Sequence, residues 1–312
     1  MGMVDAARVL SRPRAPTAGR VKDRRSARLV HYAMLCPTLV LLLAFLVLPA
    51  IYVGWLSFHT STYGQDSTFV GLANYAQLFA DRIFWRAFWN TFFVVNGIVY
   101  VELLLALGLA LLLSGPVPGK AIIIAVVLAP YAITESSGIV MWRYMFEPDI
   151  GLVSHILGGL GLGQLDWSTN PVETLLLAST IAIWHHLPFT FLILYAALTT
   201  VPRDVLEASE IDGATRWQQF RLITLRLIMP AVLIAVLFRY IFAIRTFAEV
   251  WLLTEGGPAR LSEVLAIYLY REMFKYHQFG MASATGCFML VMSLVIAWPY
   301  LRRMYCEVMR SA

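Results

Sequence analysis

Seven ionisable residues stand inside stretches otherwise too apolar to hold them: Glu102, Glu135, His185, His186, Arg239, Arg245 and Glu249. A charge at the centre of a membrane-crossing helix costs roughly 2.5 to 3.5 kcal/mol even on a forgiving insertion scale. Such groups must face the interior of a helical bundle, pair with one another, or line a wet path, so they mark a candidate pathway for a polar solute. Duller readings stand beside this one. His185 or His186 can simply bond a neighbouring helix, Arg245 and Glu249 are four apart and can neutralise each other on one helix, and Glu102 reads better as a packing partner than as a solute contact. Arg143, near an outer span end, can snorkel to the interface.

A second chemical feature is the polar stretch 207–230, EASEIDGATRWQQFRLITLRLIMP, set between two strongly apolar segments. Pro202 suits the first turn of a short helix and Gly213 suits a left-handed helix end. Thr215 and Gln218 have capping-box spacing, so a second helix is expected to begin there. Trp217, Phe220 and Ile223 recur at helical spacing and are expected to pin that helix to the bundle, leaving Glu207, Glu210 and Asp212 for the cytosol or a partner. The bland alternative is a solvated amphipathic loop on the membrane.

Enzymatic chemistry finds little support. The stretch GPVPGKA (Gly115 to Ala121) has three intervening residues where a phosphate loop needs four, and alanine where a magnesium-binding hydroxyl belongs. There is no HExxH or GxSxG motif. Cys36, Cys287 and Cys306 lack metal-ligand or CxxC spacing and read as small buried hydrophobes.

These residues must be held by membrane helices. The 312 residues are 59% hydrophobic and 14% charged, with mean hydropathy +0.70, whereas a soluble domain is about 25% charged. Segments near 31–58, 88–114, 119–142, 174–199, 230–253 and 280–301 are long and apolar enough to span a bilayer. The first is too long for a secretory leader and lacks a small-residue cleavage site. Sixteen Lys and Arg fall in residues 1–30, the 114–120 turn, the 200–229 loop and the C-terminal tail, against six in the alternate connections. Both termini and the 200–229 loop are therefore expected in the cytoplasm. The net charge of +5 reflects that asymmetry, not a nucleic-acid surface. The expected organisation is a basic tail at 1–30, a six-helix domain at 31–303 and a short tail at 304–312.

Stretch 207–230 resembles the EAA coupling loop of permease subunits in ATP-binding-cassette importers. Glu207, Ala208, Asp212, Gly213, Ala214, Phe220, Ile223, Leu225 and Pro230 stand where that motif expects them. Ser209 replaces its third alanine, and Arg226 occupies a position where proline is common. The resemblance runs over about 90–302 and includes MWRYMFEPDIGLVSHIL, IWHHLPFTFLILYAALTTVP and LLTEGGPARLSEVLAIYLYREMF. It is to the carbohydrate-uptake branch of the type I importer permeases, related to the larger permease of the maltose importer. The resemblance implies an all-α membrane fold with six transmembrane helices, and coupling helices between the fourth and fifth spans within a loop at 200–230. It implies a second, different permease, two ATPase subunits holding ATP and magnesium, and an extracytoplasmic sugar-binding protein, with no cofactor on this chain. Glu207, Ala208, Ser209, Asp212, Gly213 and Ala214 would contact the ATPase.

Carried over residue by residue, the family's sugar site selects His185, His186 and Phe189 on one helix and Arg239, Ala243 and Thr246 on another, with Glu249 nearby. Imidazole, guanidinium and hydroxyl groups suit a polyol, and Phe189 offers a flat face. A di- or oligosaccharide is implied, trehalose being the first candidate, with other oligosaccharides and glycerol phosphate open. A different class, an ion- or proton-coupled secondary transporter, would also use buried carboxylates and histidines, but it predicts inverted repeats that are not evident.

Overall fold

The computed structural model describes residues 34–311 apart from 65, 162 and 164, with side chains described to 306. The expected basic tail at 1–30 lies outside the described residues. The chain divides into two units, Met1–Tyr52 and Val53–Ala312. The first contains most of α1 (Met34–Leu56), an uninterrupted helix of spanning length whose apolar side chains, Leu39, Phe45 and Leu46 among them, are exposed.

The second unit opens on a two-stranded ribbon, β1 (His59–Thr60) against β2 (Thr68–Phe69), and a short helix α2 (Ala73–Ala80). Asp81 then caps α3 (Arg82–Ser114) by accepting a hydrogen bond from the Ile83 amide. This satisfies one of the amides a helix start leaves free. Asn170 caps α7 (Pro171–Thr199) in the same way through the Val172 amide, with Pro171 in the first turn. Between these two long helices lie α4 (Lys120–Ala132), α5 (Glu135–Met145) and α6 (Leu152–Gly159). After α7 come α8 (Arg203–Ile211), α9 (216–243), α10 (Ala248–Thr254), α11 (Leu265–Tyr270) and α12 (Phe279–Ser311).

Two expected spans differ in form from a straight rod. The third is broken: α4 and α5 meet at 101°. Pro130 lies in a final 3-10 turn, and Ile133 and Thr134 are extended before α5 begins, the arrangement that ends one helix and re-aims the next. The described residues therefore provide five continuous helices of spanning length, or six spans if the bent pair is one. The fifth starts earlier than expected. Instead of a separate short helix, Arg216–Gln219 runs through a π segment at Phe220–Thr224 into Leu225–Ala243 without a gap. The chain then breaks helix at 244–247 before α10 resumes.

Small side chains let the long helices approach closely. Ala106, Ala110 and Leu113 of α3 pack with Phe191, Leu194 and Leu198 of α7 and with Ile228 of α9. Farther along, Val95, Ile98 and Val99 of α3 meet Ala182 of α7 and Val236, Tyr240 and Ala243 of α9. Three helices thus share one apolar seam, and any polar group on it is forced onto a polar neighbour.

Candidate functional site

Glu102 is that polar group. Fully buried on α3, its carboxylate accepts a hydrogen bond from Thr190 Oγ1 of α7 at 2.5 Å and lies 2.7 Å from Arg239 Nη2 of α9. One carboxylate therefore ties three long helices at a single level. The expectation that Glu102 packs internally agrees with this geometry.

Arg239 extends from this clamp to a cavity of about 230 Å³. Its buried side is formed by Arg239 and Ala243 of α9, Ala182 of α7, Thr246 in the break, and Glu249 of α10. Half-buried His186 adds an imidazole, and exposed Glu135, Phe242 and Arg245 form the open edge. The break makes this possible: the Thr246 amide bonds the Ala243 carbonyl in a tightened turn, so the chain re-enters helix on a new course before Glu249. Arg239 Nε and Glu249 Oε2 are buried with no hydrogen-bond partner among the described residues. Such orphaned groups are costly in a native interior and call for a water or a ligand.

Of the seven expected pathway residues, His186, Arg239, Ala243, Thr246 and Glu249 line this cavity. His185 is outside this lining, its ring 5.0 Å from that of His186 and 6.1 Å from that of Tyr131. Phe189 also stands outside the lining, packing edge-on against Phe238 and Phe242 at 6.1 and 6.2 Å. The expected mutual neutralisation of Arg245 and Glu249 is not observed. The helix is interrupted between them, and no ion pair joins them among the described residues. Glu135 and Arg245, expected on the pathway as charges in apolar runs although not among the residues the family's sugar site selects, also line the cavity. Phe242 and Ala182 had no such signal.

Around α8 the residues form a hinge. Pro202 is the residue before the helix, not in its first turn. Gly213 closes α8 at φ +79°, and the Ala214 amide bonds back to the Ser209 carbonyl. A left-handed φ at that position is what glycine allows without Cβ strain. The Thr215–Gln218 capping box then starts α9. Glu207, Ala208, Glu210, Asp212 and Gly213 are exposed, Ala214 is half-buried and Ser209 is buried. The expected pin by Trp217 is not observed: that ring is 65% exposed and touches Phe220, while Phe220 and Ile223 are half-buried. The tie is polar instead. Gln219 Nε2 donates to the Leu206 carbonyl and to Ser209 Oγ, each at 2.9 Å, locking α8 to the start of α9.

At the other end of α10, the segment 255–264 is held from below by Asn90 of α3, whose amide donates to the Leu261 and Glu263 carbonyls. Arg260 engages the buried Glu263 carboxylate through both Nε and Nη2. Beside this pair Glu272 is buried, and burial pushes its carboxyl up to about 7, against the opposing pull of Arg260 and with Asp81 and Glu263 adding repulsion.

Comparison with known proteins agrees with this architecture. Residues 17–301 match the family described as the binding-protein-dependent transport system inner membrane component. The chain is 32% identical over 277 residues to the trehalose/maltose transport system permease protein of Thermococcus litoralis, covering 88% of this chain and 93% of that one. It is 31% identical over 277 residues to the sulfoquinovosyl glycerol transport system permease protein of Agrobacterium fabrum, covering 88% and 90%. In fold it resembles a chain of a bacterial ABC transporter that imports the polysaccharide alginate, with a TM-score of 0.76 and 24% identity over 92% of this chain and 98% of that chain. A broken-span helical bundle with buried charges, matched along nearly its whole length, thus belongs to the family of binding-protein-dependent transport system inner membrane components, and is a transport subunit, not an enzyme.

Proposed function

We propose that this chain is the permease subunit of an ATP-driven sugar importer, providing half of the path for a di- or oligosaccharide. The observation that carries the proposal is the cavity between α7, α9 and α10: one side is buried and polar with unpartnered donors and acceptors, the other is open at Glu135, Phe242 and Arg245. A second, different permease would complete that open side. Arg239, His186 and Thr246 offer hydrogen bonds to sugar hydroxyls, Glu249 accepts from them, and Phe242, with Phe189 packed against it, supplies apolar surface. His185 supports His186 by its ring contact. Trehalose is the first substrate to test, because one relative is named for trehalose and maltose, while another is named for a sulfoquinovosyl glycerol.

In this reading Glu207, Ala208, Ser209, Asp212, Gly213 and Ala214 meet an ATPase subunit, with ATP and magnesium held there and not here. Both termini and α8 lie in the cytoplasm, and an extracytoplasmic sugar-binding protein delivers the solute. Closure of two ATPase subunits would push on α8, and the Gln219 tie would pass that motion into α9, whose other end lines the cavity. The deciding experiment is purification in mild detergent followed by uptake. ATPase and second-permease chains should co-purify, and reconstituted complex should take up a receptor-bound disaccharide with ATP hydrolysis. Uptake driven by an ion gradient without ATP would overturn the proposal. Cysteine labelling from outside should reach Thr62 and Gly159 and spare Ser209; the reverse pattern would invert the assigned orientation.

A further inference from the structure

At the end of the bundle that carries α8, the last turns of α12 lie beside α9, and a groove of about 630 Å³ runs between them. Its floor is apolar: Met229 and Leu233 of α9, with Trp298 and Pro299 of α12. Its rim is cationic, with Arg302 and Arg303 one turn beyond Trp298 and Cys306 one turn further. Among residues 34–306, no carboxylate pairs with either arginine. The two charges are exposed and the ring of Trp298 is 67% exposed, so the groove opens sideways from the bundle.

We propose that this groove binds one anionic glycerophospholipid, its acyl chain lying over Trp298, Leu233 and Met229 and its headgroup phosphate held by Arg302 and Arg303. The order of the lining is that of such a lipid along the bilayer normal, apolar first and cationic about 6 Å farther along the helix axis. Guanidinium groups match phosphate oxygens bidentately, and basic pockets between spans attract anionic headgroups. Tryptophan is at home at the headgroup level. The volume falls in the range of ligand clefts, roughly 300 to 1,000 Å³. A protein partner fits less well, since it would have to bring acidic groups to two adjacent like charges as well as an apolar face to the floor. A free phosphate would leave the apolar floor bare. The site also has leverage: it abuts α9 between Gln219, which holds α8, and Arg239, which enters the cavity.

Cys306 provides a direct reading of occupancy. The complex containing this chain with Cys36→Ser and Cys287→Ser is placed in nanodiscs of phosphatidylcholine alone or with phosphatidylglycerol, and alkylation of Cys306 is timed. Labelling should slow on the order of tenfold with phosphatidylglycerol, since each basic side chain contributes about tenfold or less to anionic-lipid attraction. Arg302→Gln with Arg303→Gln should abolish that difference, and phosphatidylglycerol retained per complex after detergent washing, counted by mass spectrometry, should fall by about one molecule. Leu233→Trp, which fills the floor without touching the charges, should also restore fast labelling. Equal protection in both bilayers that survives the arginine changes would mean a protein covers the groove and would overturn the proposal. So would protection by inorganic phosphate in phosphatidylcholine alone, which would reduce the site to an anion contact, or fast labelling in every bilayer.

Discussion

The cavity and the α8 hinge are opposite in chemistry and alike in being unfinished. In the cavity, polar atoms are buried without a protein partner among the described residues: Arg239 Nε and Glu249 Oε2. At the hinge, apolar side chains are placed where nothing covers them, Ile211 being 87% and Trp217 65% exposed. A lone helical protein would exchange these two surfaces. Unsatisfied polar atoms inside suit the proposed polar solute, and uncovered apolar side chains among the exposed carboxylates of Glu207, Glu210 and Asp212 suit the proposed ATPase contact. Between them α9 is a continuous rod from Arg216 to Ala243, tied polar at both ends, by Gln219 to α8 and by Arg239 to Glu102.

The largest effect is expected where the rod is anchored inside. Glu102→Ala leaves Arg239 buried without its counter-charge and should cost about 3 to 5 kcal/mol of stability, read as reduced yield and a lower unfolding temperature in detergent. Replacing both partners, Glu102→Leu with Arg239→Met, should recover most of that stability while uptake stays low. Recovery of uptake as well would remove Arg239 from the pathway and leave it a purely structural residue.

Next is the cavity itself. His186→Ala should lower uptake roughly 10- to 100-fold, the equivalent of one or two hydrogen bonds to a polar solute. Assembly and binding of sugar by the external receptor should be unchanged. His185→Ala should do less, because its ring is not part of the lining. Equal losses from the two would blur the distinction drawn between them.

At the hinge, Gly213→Val meets no steric neighbour within 4 Å, so its cost is that of holding a branched residue at φ +79°, about 1 to 2 kcal/mol. The complex should assemble, yet transport per ATP hydrolysed should fall several-fold. Unchanged coupling would sever the link between hinge and cavity.

The smallest effect concerns neither region and serves as a control. Glu272 has its carboxyl raised from an ordinary 4.5 to about 7, chiefly by burial. The stability this protonated group contributes is fully present below about 4.5 and is lost as pH rises through about 7. Glu272→Gln should therefore flatten the fall in unfolding temperature between those pH values while leaving uptake at the lower pH unaltered. A decline just as steep in the variant would place the titrating group elsewhere.

What the amino-acid order determined by itself was local. Runs of apolar residues set the long helices, because a backbone in hydrocarbon must bond to itself. The Thr215–Gln218 capping box and the left-handed turn at Gly213 depend on neighbours three or four residues away and formed as expected. The charges in apolar runs announced a polar interior for the same reason, since their cost is a property of each residue. What only the tertiary structure decided was partnership. Glu102 meets Thr190, 88 residues distant, because α3 and α7 pack along a shared apolar seam in which Ala106 and Ala110 face Phe191 and Leu194. Arg245 and Glu249 are separated by a helix break that four residues of sequence do not reveal. Trp217 lies exposed although its spacing suits burial, since spacing gives a helix its faces while only neighbouring helices determine which face is covered. Local chemistry is written in the order of residues; the choice of partner for a buried charge is a property of the packed bundle.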